Sequence, residues 1–296
     1  MQSTLSRIIC YVIDQRLNTH MKRYTVITTF NEEGRKLYGQ KMVNSFQNFW
    51  PREVDLIVYT EDTTVPTQRS NVRLIDLYAN SKVYKQFLKR HKNNPQAQGG
   101  KGPNNEAKYD ARKAFKWQGI RFCHKVFAVH HAVNNIDSDW IIWLDGDTLT
   151  HTPIAMQFLD SISPDEYVAT HLGRGERYHS ECGWVGYNQK HTQGIDFVND
   201  FAGLYINDTM FNYPEWHDSF LFDVMRREYQ NKGAKFFNLN PHPDTKGLAG
   251  HPFINSELGR YIDHMKGKRK IVGYSKANEY QMHNNIDYVK RIPRVR

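Results

Sequence analysis

Apolar and polar positions in the first part of the chain alternate in a way that predicts strands and helices. Residues 24–30 are rich in β-branched and aromatic side chains and end at a turn signal, residues 31–34 (NEEG), so they predict a first strand. A helical stretch over 36–49 follows, and further strands are predicted at 54–60 and 72–77. Strand, helix and strand at this spacing predict a parallel α/β sheet with right-handed crossovers.

The pattern continues through the second half of the chain. Residues 111–135 have helical periodicity, with Gly119 as a candidate break. Residues 139–144 form a near-continuous apolar run, typical of a central strand covered on both faces. We find no internal repeat and no linker, and therefore predict one continuous α/β domain over 21–296, with a mostly parallel central sheet flanked by helices. Later runs predict two short strands, a helix and a late strand, at 166–170, 184–187, 218–230 and 234–239.

Two segments fall outside this pattern. Residues 1–20 are weakly patterned and are predicted to be an N-terminal extension. Residues 91–105 (HKNNPQAQGGKGPNN) are polar and rich in Gly, Asn and Lys, which predicts a flexible loop. A plain surface insertion and a mobile lid over a site both fit this composition, and the sequence leaves the two open.

The composition indicates a folded and strongly basic protein. Aromatic residues make up 13% of the 296 residues, which argues against disorder. The net charge of +9 favours a polyanionic or membrane-surface partner, with a solvated, lysine-rich surface as the alternative. No apolar run reaches the roughly 20 residues of a membrane span, and no small-residue cleavage site follows the apolar stretch 8–13, so we expect a cytoplasmic protein. The three cysteines have no metal-type spacing, and an odd count argues against a disulfide framework.

Two carboxylates end the predicted central strand. Asp145 and Asp147 are separated by Gly146, and side chains two positions apart on a strand point the same way. Such carboxylates repel each other unless a cation lies beside them, and ligands of open α/β sheets bind at the carboxyl ends of strands. A hard divalent ion, Mn²⁺ or Mg²⁺, would bridge these carboxylates and a substrate diphosphate. An exposed Asp-Gly-Asp turn is the alternative.

This Asp-x-Asp pair after a central strand resembles the signature of the GT-A-fold nucleotide-sugar glycosyltransferases. The resemblance extends over about residues 24–270, mostly as an order of elements. It implies a Rossmann-like GT-A fold, a nucleotide-sugar donor, with a UDP-sugar favoured, and aspartates that bind the metal. A cation held there would stabilise the negative charge that develops on the departing diphosphate.

A second motif narrows the resemblance. Residues 264–270 (HMKGKRK) are similar to the His-x-x-Gly-x-x-Lys motif of the retaining, glycogenin-like and lipopolysaccharide-galactosyltransferase-like enzymes of glycosyltransferase family 8. The similarity implies that His264 is a third metal ligand and that Gly267 and Lys270 contact the donor, the lysine at its diphosphate. The family usually continues with Pro-Trp, whereas this chain continues with Ile-Val. His251 is the rival third ligand, and an incidental histidine in a basic surface turn is the other alternative.

Three further candidates come from the same resemblance. Gly183 in residues 181–188 (ECGWVGYN) matches a strand that lies against the donor sugar, with a plain structural strand as the alternative. Asp218, at a predicted helix start, matches a catalytic acidic residue that faces the reacting sugar; a helix cap is the alternative, and both roles are compatible. Lys125, on the helix before the metal-site strand, matches a basic donor contact, with a solvated basic face as the alternative.

The remaining expectations concern the donor nucleoside and the acceptor. Thr28 and Asn31 end the first strand, where the base and ribose of the donor bind in this fold. A basic protein without a membrane anchor favours a polyanionic acceptor, and phage-type enzymes that glycosylate modified DNA bases match this profile. A surface-polysaccharide or lipid-linked acceptor is the alternative. Outside enzymes, the alternative is a nucleic-acid-binding module.

Overall fold

A computed structural model describes residues 21–103, 111–176, 178–245 and 248–293. The predicted extension at 1–20 lies outside the described residues. Within them, the strands form a seven-stranded sheet and a separate two-stranded sheet. The strands are β1 (Tyr24–Phe30), β2 (Asp55–Thr60), β3 (Val72–Asp76), β4 (Trp140–Leu144), β5 (Thr148–Thr150), β6 (Ala169–Leu172), β7 (Glu181–Asn188), β8 (Phe236–Asn238) and β9 (Ile262–His264).

The large sheet has the order β3-β2-β1-β4-β7-β6-β8. Strand β1 pairs in parallel with β2 and β4, and β2 pairs in parallel with β3. Strand β7 alone runs against its described neighbours β4 and β6, while β8 is parallel to β6. The prediction of a mostly parallel α/β sheet is confirmed.

Helices cover both faces of this sheet. The described α-helices are α1 (Glu32–Gly34), α2 (Gln40–Phe49), α3 (Leu77–Asn80), α4 (Lys82–His91), α5 (Gly119–Asn135), α6 (Met156–Ser161), α7 (Gly194–Ile206), α8 (Asp218–Asn231), α9 (Pro252–Asn255), α10 (Arg269–Val272) and α11 (Asp287–Arg291). A π-helical turn at Arg35–Gly39 joins α1 to α2. A 3₁₀ turn at Ala111–Trp117 precedes α5, so the predicted helix 111–135 does divide just before Gly119.

Strand β4 lies between two apolar clusters because its side chains alternate between the faces of the sheet. Ile141 and Trp143 pack in the cluster that contains α5, α7 and α8. Trp140, Ile142 and Leu144 pack in the cluster that contains α2. All five side chains are buried, as the continuous apolar run predicts for a central strand.

The described part of the segment 91–105 packs against the body of the protein. His91 ends α4 and is buried, with Nε2 2.7 Å from the carboxylate of Asp208. Ala97 is fully buried, and its carbonyl accepts a hydrogen bond from the Ile120 N–H at 3.0 Å. Residues 104 and 105 lie outside the described residues, and the flexibility of this segment stays a prediction.

The two-stranded sheet completes the architecture around the end of β4. Strand β5 pairs with β9 in antiparallel register, so that Thr148 lies opposite His264. The N–H of Met265 donates to the carbonyl of Asp147 at 2.8 Å. This pairing returns a late part of the chain to the carboxyl end of the central strand.

Candidate active site

The two aspartates lie at the carboxyl end of β4, in a turn fixed by its neighbours. The Asp145 N–H donates to the Gly183 carbonyl at 2.9 Å, and the Thr148 hydroxyl donates to the Asp145 carbonyl at 2.9 Å. A Cβ on Gly146 would come within 2.9 Å of the Phe30 ring, so the intervening residue has to be small. Asp147 is buried, which makes the alternative of an exposed turn wrong for this carboxylate.

His264 lies directly beside this pair because β9 pairs with β5. Its Nε2 is 3.5 Å from Asp145 Oδ2 and 3.3 Å from Asp147 Oδ1. The residue is only 2% exposed, so it is not an incidental histidine in a surface turn. A Cβ on Gly183 would lie 2.6 Å from Cε1 of His264, so the glycine leaves room for the imidazole ring.

These three side chains fit a hard divalent cation. Each offers one ligand atom, and the three atoms lie within 4.8 Å of one another. Adjacent ligands of an octahedral ion with bonds of about 2.1 Å are about 3.0 Å apart, close to the two imidazole–carboxylate distances. Two carboxylates and one imidazole are a donor set that suits Mn²⁺ or Mg²⁺.

The ionisation of the cluster is set by burial and by its own charges. Burial opposes the imidazolium form, but Asp147 and Asp145 outweigh this effect and raise the pKa of His264 to about 9. Burial likewise opposes the charged carboxylates, whereas Lys125 and His264 hold the pKa of Asp145 below its ordinary value. Because an imidazole ligand must be neutral, a metal ion would displace the His264 proton.

His251, the rival third ligand, contacts the ring and the backbone of His264. It is buried, and its Nε2 is 3.1 Å from the backbone carbonyl oxygen of His264. His251 could share a metal ion with Glu181 and His264. The group that contains both aspartates includes His264 and does not include His251. The geometry therefore favours His264 over His251 beside Asp145 and Asp147.

Lys125 and Asp218 form a buried ion pair next to the aspartates. Lys125 Nζ is 2.8 Å from Asp218 Oδ2 and 3.6 Å from Asp145 Oδ1, and it lies over the Trp143 ring. Burial would lower the pKa of Lys125, but the two carboxylates outweigh it and raise that pKa. Lys125 is 8% exposed, so the alternative of a solvated basic face is wrong.

Asp218 is the first residue of α8, while His217 occupies the N-cap position. Its carboxylate is directed at Lys125. The predicted helix start is therefore correct, but the alternative role of Asp218 as the cap is wrong. The pair with Lys125 places this carboxylate in the wall of the same cavity as Asp145.

Lys270 and Gly267 occupy different positions relative to the aspartates. Lys270 Nζ lies 2.9 Å from Asp147 Oδ2 and 4.8 Å from the centre of the Tyr38 ring. Gly267 has a φ of +59°, the left-handed region that favours glycine, in the turn before α10. It does not line the cavity, so a donor contact through Gly267 has no support from the geometry.

The end of β1 contributes to the cavity through the consecutive residues 29–31. Thr28 is fully buried and lies outside the lining, whereas Thr29 and Asn31 line it. The Asn31 side chain accepts a hydrogen bond from the Gly34 N–H at 2.8 Å and so caps α1. The predicted nucleoside contact of Thr28 has no support here, and Thr29 is the neighbouring alternative.

The cavity has a volume of about 470 Å³. Its walls come from the ends of β1, β2, β4 and β7, from the first two turns of α5 and the first turn of α8, and from the π-helical turn and α10. Carboxylate, basic and aromatic side chains all line it. The lining residues are Thr29, Phe30, Asn31, Tyr38, Glu61, Arg121, Phe122, His124, Lys125, Trp143, Asp145, Gly146, Asp147, Glu181, Cys182, Gly183, Asp218, Ser219 and Lys270.

Two lining carboxylates were missed by the sequence reasoning. Glu61 follows the carboxyl end of β2, and the strand-end rule that selected Asp145 also applies to it. Glu181 begins β7, is buried, and pairs with Lys266 and Arg174. Burial would raise its pKa, but Lys266 and His264 outweigh this and lower the pKa to about 2. No local pattern marks Glu181, because its partners Lys266 and His264 come from a much later segment of the chain.

The length and hydropathy of the helices bear on whether one of them could cross a membrane. Across the ranges that the structure describes, none is both long and apolar enough to span a membrane.

Comparisons with known proteins give similar structures at low identity. No family model matches the chain, and no curated protein matches it. Mouse xyloside xylosyltransferase 1 in its apo form is similar over 73% of this chain and 85% of its own, with 11% identity and a TM-score of 0.44. The glycosyltransferase GlyE of Streptococcus pneumoniae TIGR4 is similar over 73% of this chain and 45% of its own, with 12% identity and a TM-score of 0.41. The apo form of GlyE is similar over 74% of this chain and 46% of its own, with 12% identity and a TM-score of 0.39.

Proposed function

We propose that this protein is a metal-dependent glycosyltransferase that transfers a sugar from a nucleotide-sugar donor, with a UDP-sugar favoured. One observation carries the proposal: Asp145, Asp147 and His264 converge at the carboxyl end of a buried strand, where the two aspartates line a polar cavity. Such a strand end is where ligands of open α/β sheets bind. A Mn²⁺ or Mg²⁺ ion held there would supply positive charge to the diphosphate leaving group.

The surrounding side chains have complementary tasks in this proposal. Lys270, a point charge beside Asp147, is suited to bind the donor diphosphate. Lys125 holds the carboxylate of Asp218 in the cavity wall, where it can orient sugar hydroxyls and stabilise positive charge at the anomeric carbon. Thr29 and Asn31 are suited to the nucleoside end, because both line the cavity at the end of β1. We infer retention of anomeric configuration from the similarity of residues 264–270 to retaining enzymes.

The acceptor that we favour is a modified base in DNA. The net charge of +9 supports this choice, since a basic surface attracts the phosphate backbone independently of sequence. A base would have to leave the stack to reach the cavity. A surface-polysaccharide or lipid-linked acceptor is the competing class, and a non-enzymatic nucleic-acid-binding module is the alternative outside enzymes.

Release of nucleoside diphosphate from UDP-, GDP- and CMP-sugars, with Mn²⁺ or with chelator, tests the proposal. We expect slow hydrolysis of one donor that requires the metal and falls roughly 100-fold in Asp147→Asn. Asp287→Asn, which changes an exposed carboxylate in α11, is the matched control and should retain the wild-type rate.

Two outcomes would contradict parts of this proposal. If no donor is turned over and no nucleotide binds in a metal-dependent way, the glycosyltransferase proposal fails. If, in addition to that result, DNA binding is unchanged in Asp147→Asn, the non-enzymatic nucleic-acid-binding module replaces the glycosyltransferase proposal. If a donor is hydrolysed but DNA never accepts the sugar, only the acceptor proposal fails, and lipid-linked and polysaccharide acceptors are next to be assayed.

A further inference from the structure

A second group of metal-binding side chains lies outside the cavity. His179 precedes β7, and Glu215 and His217 precede α8, so two separate segments supply the group. Glu215 Oε2 is 2.9 Å from His217 Nε2 and 3.5 Å from His179 Nε2. One ligand atom from each of the three residues lies within 4.8 Å of the other two. None of the three lines the cavity that contains Asp145.

The surroundings hold the group in a fixed arrangement. The His217 ring lies against the rings of Phe115, Phe122 and Phe220, and the residue is buried. Lys116 pairs with Oε1 of Glu215, which orients the carboxylate and leaves Oε2 directed at the two imidazoles. A ligand carboxylate that is held by an outer partner is a common feature of protein metal sites.

The group of His179, Glu215 and His217 matches a zinc site in spacing and chemistry better than the cluster of Asp145, Asp147 and His264 does. Ligands of a tetrahedral Zn²⁺ ion with bonds of about 2.0 Å are about 3.3 Å apart, and the two measured distances lie on either side of that spacing. Two imidazoles and one carboxylate suit Zn²⁺, whereas a carboxylate-rich set suits Mg²⁺ or Mn²⁺. The His179 side chain is 33% exposed, so an ion can enter from solvent.

We propose that His179, Glu215 and His217 form a zinc site separate from the Asp145–Asp147–His264 cluster. Three protein ligands leave a fourth position for water or for an anionic oxygen. The ion ties the segment before β7 to the segment before α8, and these segments lead directly into Glu181 and Asp218 in the cavity wall. The zinc site thus cross-links two walls of the cavity, and the proposal does not depend on the identity of the donor.

Zinc binding to the full-length, metal-stripped protein tests the proposal. In Asp145→Asn/Asp147→Asn, which disables the first cluster, we expect one Zn²⁺ ion to bind. Adding His179→Gln should weaken that binding at least tenfold, roughly the least that loss of a supporting group costs a metal site. His242→Gln, at a partly exposed histidine outside the group, is the matched control and should leave the affinity unchanged. Isothermal titration calorimetry gives both stoichiometry and affinity.

Absence of zinc binding in Asp145→Asn/Asp147→Asn, or equal affinity with and without His179→Gln, would overturn the proposal. A measurement on the wild-type protein keeps the test independent of how the variants fold. Zn²⁺ should protect His179, the partly exposed member of the group, from modification by diethyl pyrocarbonate, mapped by mass spectrometry, while His242 stays reactive. Equal modification with and without Zn²⁺ also overturns it. Neither experiment uses a nucleotide-sugar, so its failure is distinguishable from failure of the transferase proposal.

Discussion

Gly183 controls the candidate site through the side chain that it lacks. A Cβ added to Gly183 would lie only 2.6 Å from Cε1 of His264, so the His264 ring occupies the space that a side chain would need. Because protein interiors are close-packed, even one added methyl group must displace the ring or the backbone. The position of the imidazole relative to the aspartates therefore depends on a glycine in a different strand.

We expect Gly183→Ala to weaken Mn²⁺ binding at least about tenfold and to lower the free energy of unfolding by about 1–3 kcal/mol through overpacking. Gly250→Ala is the matched control, since a Cβ there meets nothing within 4 Å, and it should change stability by less than about 0.5 kcal/mol. Metal titration and urea unfolding measure the two effects. Wild-type metal affinity in Gly183→Ala would contradict the role given to this glycine.

His264 also makes stability depend on pH in the metal-free protein. Its pKa is raised from 6.5 to about 9, so its contribution is fully present below pH 6.5 and is lost as the pH rises through 9. Urea unfolding in the presence of chelator should show this loss in the wild type and not in His264→Gln. The same fall in both proteins would show that other groups cause it. Metal affinity should change in the opposite direction, because the ligand loses its proton as the pH rises.

The position of the two aspartates at a strand end was predictable because the signal is local. The apolar run and the two carboxylates that follow it lie within eight residues. Lys125 was missed as a buried group because its partners, Asp145 and Asp218, come from other elements. Thr28 and Thr29 lie on opposite faces of β1. An error of one position in the predicted register therefore exchanges the threonine that lines the cavity for the one that does not.

At the scale of elements, β7 and α8 are joined by a buried carboxylate. Asp223 in α8 accepts hydrogen bonds from the Ser180 N–H at 2.8 Å and from its hydroxyl at 2.7 Å, and it pairs with Arg226. Ser180 immediately precedes β7, and Asp218 is in the first turn of α8. The relative position of these two walls therefore depends on Asp223.

We expect Asp223→Ala to lower the free energy of unfolding by about 3–5 kcal/mol, because Ser180 and Arg226 lose a buried partner. Glu228→Ala changes an exposed residue of the same helix that pairs with exposed Lys232, and should cost less than about 1 kcal/mol. Urea denaturation compares the two variants. A similar small loss in both would mean that packing alone joins the strand and the helix.

The elements with a clear pattern were predictable, and the two strands of the small sheet were not. Strands β1, β2 and β4 and helix α8 were predicted nearly to their ends, since each has a clear periodicity. Strands β5 (TLT) and β9 (IDH) have three residues each and contain no apolar run that marks them as strands. Their pairing, which brings His264 to the aspartates, depends on tertiary contacts and was reached only through a motif resemblance.

The charge of the whole molecule carries its own prediction. If the net charge of +9 serves a DNA acceptor, affinity for duplex DNA should fall steeply with salt, because each neutralised phosphate releases counterions. With several phosphate contacts, we expect a loss of about 100-fold or more between roughly 50 and 200 mM salt, measured by fluorescence anisotropy. Undetectable binding at the lower salt concentration would direct attention to lipid-linked or polysaccharide acceptors.

The pairing of β5 with β9 has a consequence for how the protein is made. A ribosome synthesises Asp145 and Asp147 long before His264, and domains begin to fold while the chain is still growing. The early strands β1 to β4 can assemble while the third candidate ligand does not yet exist. The nascent protein thus has a carboxylate pair with no imidazole, and the cluster is completed only when the last strand docks. The protein would then acquire its complete set of three candidate metal ligands only after β9 has been synthesised and has paired with β5.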